Sequence, residues 1–302
     1  MVDFAEIPDE LVQAQVLWNG DAGREFIAAL PGRAECFLER WGLRRTGPVM
    51  HGVTALVLPV ERADGSAAAL KLVALDEETV GEPVALRAWA GQGCVRLLEH
   101  DAETGALLLE RLDEGRDLSG LARRDARGSR EAVMVVGGLL ARLTSVAAPA
   151  GLRGLGEIAA GMLESVPEAA GRLADAGERR LLRDCAAALA EVAGEPGDRL
   201  LHWDLHYDNV LAGGREPWLA IDPKPLSGDP GFELLPAIVN EFRVEEVRWR
   251  FEALAEAVGA DRERARAWTL GRVLQNCLWD VEDEEERLAD RELAVAEVLL
   301  GR

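Results

Sequence analysis

The chain has 302 residues, of which 48% are hydrophobic and 29% charged, and its formal net charge at pH 7 is −20. A chain of this length and composition can bury a substantial core, in one large domain or in two lobes. The acidic excess would repel a nucleic-acid backbone, and no basic stripe stands out, so we expect no nucleic-acid partner. A cationic small substrate is compatible with this charge, and so is simple solubility.

The N-terminus and the hydropathy pattern indicate a chain that is neither exported nor inserted into a membrane. The start, MVDFAEIPDE, has four acidic residues and no basic one, unlike a signal peptide. No uninterrupted apolar run reaches about 18 residues, the length typical of a membrane-spanning helix. The scattered Cys36, Cys94, Cys185 and Cys277 have no zinc-ligand spacing, which favours reduced, buried thiols. We therefore expect a cytoplasmic protein without a membrane partner.

Taken in chain order, the first elements are helices and then strands. Apolar spacing predicts amphipathic helices over residues 10–18 and 24–41, broken at Asn19-Gly20 and at Pro31-Gly32. Residues 54–61 and 67–74 are β-branched or apolar and flank turn residues, so they predict a hairpin. Helical spacing returns over residues 82–91, and residues 105–112 predict a further strand.

The rest of the chain is dominated by helix-forming residues, interrupted around residues 199–223 by short strand-like pieces. The polar, glycine-containing segment 113–117 is the natural boundary between the two parts. We therefore expect an α+β fold, with a small β-rich lobe with a helical leader at residues 1–112 and a larger helical lobe at residues 113–302.

The most informative segment is residues 201–223, LHWDLHYDNVLAGGREPWLAIDP. Its apolar pieces 210–212 and 218–221 flank Gly213-Gly214-Arg215-Glu216-Pro217, which predicts a hairpin. Pairing Val210 with Ile221 and Leu211 with Ala220 would complete it.

That pairing places Asn209 opposite Asp222 at the open end of the hairpin. An amide oxygen and a carboxylate would then converge, and hard oxygen ligands of this kind suit Mg²⁺, which takes the rest of its shell from water and nucleotide phosphates. Asp204 lies five residues before Asn209, at the other end of the same loop. The pattern therefore predicts that Asp204 faces a substrate hydroxyl while Asn209 faces the metal.

The same loop resembles a known family. His202, Asp204 and Asn209 match the catalytic-loop pattern of the protein kinases, except that Trp203 replaces their arginine. With the following Ile-Asp motif, the loop is similar to that of the aminoglycoside phosphotransferase superfamily. The closer resemblance is to its streptomycin 6-kinase and hydroxyurea phosphotransferase branch, through the stretches GPVMHGVTALVLPVERADGSAAALKL, GEPVALRAW, GALLLERL and AIDPKPLSGDPGFELLP.

This resemblance implies a bilobal, protein-kinase-like fold that binds ATP and Mg²⁺. Lys71 would bind the α- and β-phosphates, and Glu82 would pair with it. Lys71 is the only lysine in a run of apolar strand residues, where a charge is costly unless partnered. We also expect its strand to face an exposed cleft. An edge-strand lysine and a first-turn helical glutamate are the ordinary alternatives for these two residues.

The resemblance also implies the remaining contacts of the nucleotide. The loop from Gly47 to Gly52 would cover the phosphates, because glycines allow close backbone approach. The main chain from Glu110 to Leu112 would bind adenine. ATP is the expected donor, and GTP stays open.

Candidate substrate contacts are Trp279 and Asp280, at the start of the acidic run 280–286. A core role is the alternative for Trp279, and we interpret residues 284–286 as a solvated helical face. By the resemblance, Asp229 would orient loop amides. His202 would order the catalytic loop, or be a satisfied core histidine. The chemistry assigns no role to Lys224.

The sequence therefore predicts a phosphotransferase that acts on a hydroxyl group of a small molecule. Asp204 would accept the hydroxyl proton, with Asn209 and Asp222 holding Mg²⁺. Streptomycin or a related aminoglycoside is the first expected acceptor, followed by hydroxyurea, and a kinase of another small metabolite stays open. A catalytically silent, nucleotide-binding protein on the kinase fold is the alternative from a different class.

Overall fold

The computed structural model describes residues 7–283, 285 and 287–302. The chain divides into two compact units, Met1–Asp113 and Glu114–Arg302, one residue from the boundary expected between residues 112 and 113. Glu284 and Glu286 lie outside the described residues, so the solvated face expected there stays a prediction. In the described part of the chain, no helix is both long and apolar enough to cross a membrane.

The first unit combines a six-stranded sheet with two helices in its described residues: α1 (Asp9–Arg40), β1 (Arg44–Arg45), β2 (Met50–His51), β3 (Leu56–Glu61), β4 (Ala67–Leu72), α2 (Glu82–Trp89), β5 (Leu97–His100) and β6 (Leu107–Glu110). The strand order is β1-β3-β4-β6-β5, and β2 pairs with β3. All of these pairs are antiparallel. The hairpin predicted from residues 54–74 is confirmed as β3 and β4, with Leu56 opposite Leu72 and Glu61 opposite Ala67.

Helix α1 packs its apolar side on the sheet, and its buried Phe26, Leu30 and Phe37 share one core with β3 and β4. The predicted break at Gly20 is present as a kink, with φ 53° and ψ −123°. The predicted break at Pro31 is wrong, because Pro31 lies inside the helix. A proline there costs about 3 kcal/mol through its missing N–H, and burial of the flanking apolar residues offsets that cost.

The second unit is mainly helical, with short strands: β7 (Asp113–Asp117, all but its first residue in this unit), α3 (Leu118–Ala122), α4 (Ala126–Leu143), β8 (Arg153–Gly154), α5 (Leu155–Arg172), α6 (Ala176–Val192), β9 (Arg199–Leu201), β10 (Val210–Ala212), β11 (Leu219–Ala220), β12 (Leu226–Gly228), α7 (Leu234–Val239), α8 (Val247–Ala257), α9 (Arg262–Glu282) and α10 (Asp290–Leu300). Helix α9 is buried along most of its length and contacts α5, α6, α8 and α10.

Two small sheets position the loops of this unit. One has the order β11-β10-β7. In the other, β12 runs parallel to β8 and antiparallel to β9. Of the four cysteines, Cys94, Cys185 and Cys277 are buried as expected, whereas Cys36 is exposed on α1.

Candidate functional site

Lys71 and Glu82 form a buried ion pair in the first unit. The Lys71 Nζ lies 2.8 and 2.7 Å from the two carboxylate oxygens of Glu82. Their side chains are only 7% and 2% exposed. The expectation that Lys71 faces an exposed cleft is therefore wrong, because its side chain is buried against Glu82. Strand β4 lies between β3 and β6, which rules out the edge-strand alternative. A buried pair of this kind adds little net stability because both charges lose their hydration, so stability alone does not account for it.

The segment from Gly47 to Gly52 enters a hairpin formed by β2 and β3. The Gly52 amide donates to the Ala55 carbonyl at 3.0 Å, and a Cβ on Gly47 would lie 3.0 Å from the Pro59 ring. The tip of the hairpin is fixed from α1, because Gln15 Nε2 donates to the Thr54 carbonyl at 2.7 Å. Gln15 is fully buried, and its contact with residue 54 was not predictable from local sequence.

The segment expected to bind adenine begins at the last residue of β6, Glu110, and continues to Leu112 just beyond the strand. Glu110 exchanges hydrogen bonds with the main chain of Arg96: its carboxylate accepts from the Arg96 amide at 2.8 Å, and its own amide donates to the Arg96 carbonyl at 3.0 Å. Leu112 is 8% exposed. Contact of this segment with a nucleotide stays a prediction.

In the second unit, Asp204 and Asn209 lie at the two ends of one short loop between β9 and β10. The Asn209 Nδ2 donates to the Asp204 carbonyl at 2.9 Å. This bond fixes the Asn209 amide group and leaves its Oδ1 as the atom suited to a metal. The Asp204 side chain is 27% exposed, so its carboxylate is accessible to a substrate.

His202 connects this loop to the chain before Asp222. Its Nε2 lies 3.0 Å from the Ile221 carbonyl, and its side chain is fully buried. Burial lowers the pKa of His202 to about 4, although the nearby carboxylates of Asp204 and Asp222 act in the opposite direction. This hydrogen bond supports the predicted role of His202 in ordering the loop. A pKa this low makes the imidazole a weak base, and its burial keeps it from a substrate.

The predicted register of the metal-binding hairpin is wrong by one residue. Val210 pairs with Ala220, and Leu211 pairs with Leu219. In this register Val210 and Ala220, which are both fully buried, are cross-strand partners. Asn209 therefore lies opposite Ile221, whose amide donates to the Asn209 carbonyl at 2.9 Å.

Asp222 lies just past the last pair of the hairpin, in a left-handed conformation with φ 57°. Non-glycine residues rarely adopt this conformation, and such residues often occur at functional sites. The described residues contain no group of three or more His, Cys, Asp or Glu side chains that could hold a metal. One carboxylate and one amide oxygen fit Mg²⁺, which needs few protein ligands when phosphates and water supply the others.

The two candidate substrate residues lie next to each other on α9 but have different partners. The Trp279 ring is 42% exposed, and its centroid lies 6.5 Å from that of Trp203. The Asp280 carboxylate accepts from the Ala289 amide at 3.0 Å, just before α10. Burial raises the pKa of Asp280, against the effect of that hydrogen bond. The contact of Asp280 supports a structural role, and a substrate role for either residue stays a prediction.

Glu233 is a residue that sequence reasoning missed. It is 1% exposed, and its Oε1 accepts from the Trp203 amide at 2.7 Å. Burial raises the pKa of Glu233 to about 7, although the Trp203 hydrogen bond and the Arg272 charge lower it. Two guanidinium groups lie close to the Trp203 ring, with Arg153 at 4.8 Å and Arg272 at 5.2 Å from its centroid. Trp203, the residue before Asp204, has an unusual backbone conformation with φ 66°. Its contacts with Glu233 and the two arginines hold it there.

Asp229 and Lys224 complete the surroundings of the loop. Asp229 accepts from the Gly231 amide at 2.8 Å and from the Arg264 guanidinium at 2.6 Å, in agreement with its predicted role in orienting loop amides. The Lys224 Nζ lies 3.4 Å from Oδ2 of Asp204. Local sequence gave no sign of this contact between Lys224 and Asp204.

The chain is similar to known proteins over nearly its whole length. Residues 40–284 match the model of a family described as aminoglycoside/hydroxyurea antibiotic resistance kinase. The chain is 76% identical to a hydroxyurea phosphotransferase of Kitasatospora aureofaciens, over 98% of this chain and 86% of that protein. It is 52% identical to a streptomycin 6-kinase of Streptomyces griseus, over 98% of each chain.

Among solved structures, the chain is similar to that of a thermostable aminoglycoside phosphotransferase APH(4)-Ia, crystallised with ADP and hygromycin B. The TM-score is 0.59 at 14% identity, over 88% of this chain and 97% of that chain. A likeness at this level of identity concerns the fold, and it confirms the predicted aminoglycoside phosphotransferase fold of the protein-kinase type.

Proposed function

The chain belongs to the aminoglycoside/hydroxyurea antibiotic resistance kinase family, and we propose that it transfers the γ-phosphoryl group of ATP to a hydroxyl of a small molecule. The observation that carries this proposal is the loop of Asp204 and Asn209, in which one hydrogen bond of 2.9 Å joins the two residues. An accessible carboxylate and a fixed amide in one short loop supply two of the groups that phosphoryl transfer to a hydroxyl uses, one for the acceptor and one for the metal.

In this proposal the reaction depends on positioning and on neutralisation of charge. Asp204 orients the acceptor hydroxyl and receives its proton. Asn209 and Asp222 would hold Mg²⁺, which would supply positive charge where the donor phosphates bind. Lys71, oriented by Glu82, binds the α- and β-phosphates of the donor.

The nucleotide has two further proposed contacts in the first unit. The hairpin from Gly47 to Gly52 covers the phosphates with its main chain, and the segment from Glu110 to Leu112 binds adenine through its main chain. Both assignments extend the family resemblance, and the antiparallel pairing of β2 with β3 supports the first of them.

The relatives suggest which acceptor to test first. The identity of 76% to a hydroxyurea phosphotransferase exceeds the 52% to a streptomycin 6-kinase, which favours the hydroxyl of hydroxyurea. Streptomycin is the second candidate, and the net charge of −20 suits its cationic groups. Trp279, with its half-exposed ring, is the proposed contact for either acceptor, and Asp280 is the proposed carboxylate for a cationic one.

Mass spectrometry of reaction mixtures tests the proposal. The protein is incubated with Mg²⁺ and either ATP or GTP, together with hydroxyurea, streptomycin or a second aminoglycoside. We expect a phosphate adduct of at least one acceptor, with ATP as the better donor. The dependence of KM on ionic strength distinguishes the two acceptors further. KM for cationic streptomycin should rise with ionic strength because salt screens its attraction to the acidic protein, whereas KM for neutral hydroxyurea should not change. If none of these acceptors gained a phosphate, the result would contradict the proposal.

A further inference from the structure

The use of lysine in this chain is unusually restricted. The chain has 34 basic residues, and only two of them, Lys71 and Lys224, are lysines. The other 32 are arginines, so the two lysines stand out as positions at which to ask what an ammonium group does that a guanidinium group cannot. A lysine carries a compact ammonium group on a flexible stem, whereas arginine has a planar fork that binds carboxylates through two hydrogen bonds. Lys71 already has a proposed role, which leaves Lys224.

The sheet formed by β8, β12 and β9 brings Lys224 next to the catalytic loop. Strand β9 pairs antiparallel with β12, with Leu201 opposite Leu226. The chain that follows β9 and the chain that precedes β12 therefore lie at the same end of this pair. The Lys224 amide extends the ladder by donating to the His202 carbonyl at 3.0 Å. From this position the Lys224 Nζ lies 3.4 Å from Oδ2 of Asp204.

Stability does not explain this lysine. Its side chain is 40% exposed and that of Asp204 is 27% exposed, so water and salt screen the pair. Ion pairs of this kind contribute about 1 kcal/mol at most. An arginine at residue 224 could form a two-bond pair with the carboxylate and would occupy both of its oxygens. An ammonium group leaves one oxygen of Asp204 available to a hydroxyl.

We propose that Lys224 is a further catalytic residue, whose ammonium group hydrogen-bonds an oxygen of the phosphoryl group during transfer. This inference rests on the proposed function. The acceptor oxygen forms a bond to the γ-phosphorus, and the bond from that phosphorus to the bridging oxygen breaks with its electron pair going to ADP. The hydroxyl proton passes to Asp204, and Lys224 remains protonated throughout. Before the reaction the ammonium group partly neutralises the Asp204 carboxylate. During transfer the same ammonium group stabilises the negative charge on the phosphoryl oxygens.

Two variants test this role. Lys224→Met removes the charge and keeps the length of the side chain, so kcat should fall roughly 10²-fold, as for loss of one donor to a transition state. KM for the acceptor and the affinity for a non-hydrolysable ATP analogue should change by a few-fold at most. Lys224→Arg keeps the charge, but its guanidinium group would bond both carboxylate oxygens of Asp204 and leave neither for the acceptor hydroxyl. Its kcat should therefore also fall below that of the wild type.

The matched control is Arg262→Met, which removes another exposed cation paired with a carboxylate, that of Glu252. Its kcat should equal that of the wild type, and thermal unfolding of all three variants should stay close to the wild type. Unchanged kcat in Lys224→Met would overturn the proposal. Full activity of Lys224→Arg would also overturn it, because any cation would then suffice. A wild type that phosphorylates no acceptor would instead contradict the proposed function itself.

Discussion

The imidazole Nε2 of His202 lies 3.0 Å from the carbonyl oxygen of Ile221. Through this bond the first side chain of the catalytic loop is fixed to the main chain immediately before Asp222. Because His202 is buried and its pKa is lowered to about 4 by that burial, the imidazole is neutral at pH 7 and the contact persists under working conditions. The proposed base and the proposed metal ligand are therefore held on one hydrogen-bonded framework.

The first prediction concerns the metal, and its design follows from the left-handed conformation of Asp222. Alanine would be strained there, whereas asparagine tolerates a positive φ, so Asp222→Asn removes the charge and keeps the backbone. Turnover should fall roughly 10²-fold or more at limiting Mg²⁺, because the charged ligand of the metal is lost. Titration of turnover against Mg²⁺ measures this effect.

Asn209→Ala should lower turnover less than the change at Asp222, since it removes a neutral ligand. Asp222→Gly is the control for backbone strain, and its turnover should be as low as that of Asp222→Asn. Near-wild-type turnover of Asp222→Asn at limiting Mg²⁺ would show that this carboxylate is not a metal ligand.

The second prediction separates function from stability at Lys71. Lys71→Met leaves Glu82 buried without its cation, which should cost about 3 kcal/mol or more of unfolding free energy. The double variant Lys71→Met/Glu82→Gln removes both charges and should recover most of that loss. Turnover should remain low in both variants because the donor phosphates have lost their cation. Chemical unfolding and ADP release measure the two effects, and a double variant with wild-type turnover would assign Lys71 a structural role.

Local sequence predicted well what depends on local patterns. The β3–β4 hairpin and helix α2 follow from strand and helix spacing, and this spacing also brings Lys71 and Glu82 together. The hairpin register was predicted wrongly by one residue, because apolar residues occupy both faces of strand β11 and the apolar pattern therefore does not fix the pairing.

The contacts that sequence reasoning missed join residues far apart in the chain. Glu233 contacts a main-chain amide thirty residues earlier, and Gln15 contacts a carbonyl thirty-nine residues later. No periodic pattern encodes such pairs. Pro31 illustrates a different limit, because tertiary packing of α1 overrides the local tendency of proline to end a helix.

The third prediction concerns stability against pH. The folded-state pKa of Glu233, about 7, lies above the ordinary 4.5, so its contribution to stability is full below pH 4.5 and is lost as the pH rises to 7. The pKa of His202, about 4, lies below the ordinary 6.5, so its contribution is full above pH 6.5 and is lost as the pH falls to 4. Between pH 4.5 and 6.5 the two effects oppose each other.

Glu233→Gln removes the first effect and leaves the second. Over this interval, its unfolding free energy relative to the wild type should decrease with falling pH by on the order of 1 kcal/mol per unit. Urea unfolding at several pH values measures the difference. Parallel curves for Glu233→Gln and the wild type would contradict the assignment.

The last prediction concerns Asp204, which we propose receives the proton of the acceptor hydroxyl. Asp204→Asn is nearly isosteric and leaves the Asp204 carbonyl free to accept from Asn209, so the loop and the metal ligands should persist. Loss of general-base help typically costs about 10²- to 10⁴-fold in kcat. The affinity for a non-hydrolysable ATP analogue with Mg²⁺ should change by a few-fold at most.

Acceptor-dependent ADP release by Asp204→Asn and by the wild type, measured beside calorimetric titration of the ATP analogue on the same samples, tests this claim most directly. ADP release should fall by roughly 10²-fold or more while nucleotide binding survives. Undiminished ADP release by Asp204→Asn, with intact nucleotide binding, would contradict it.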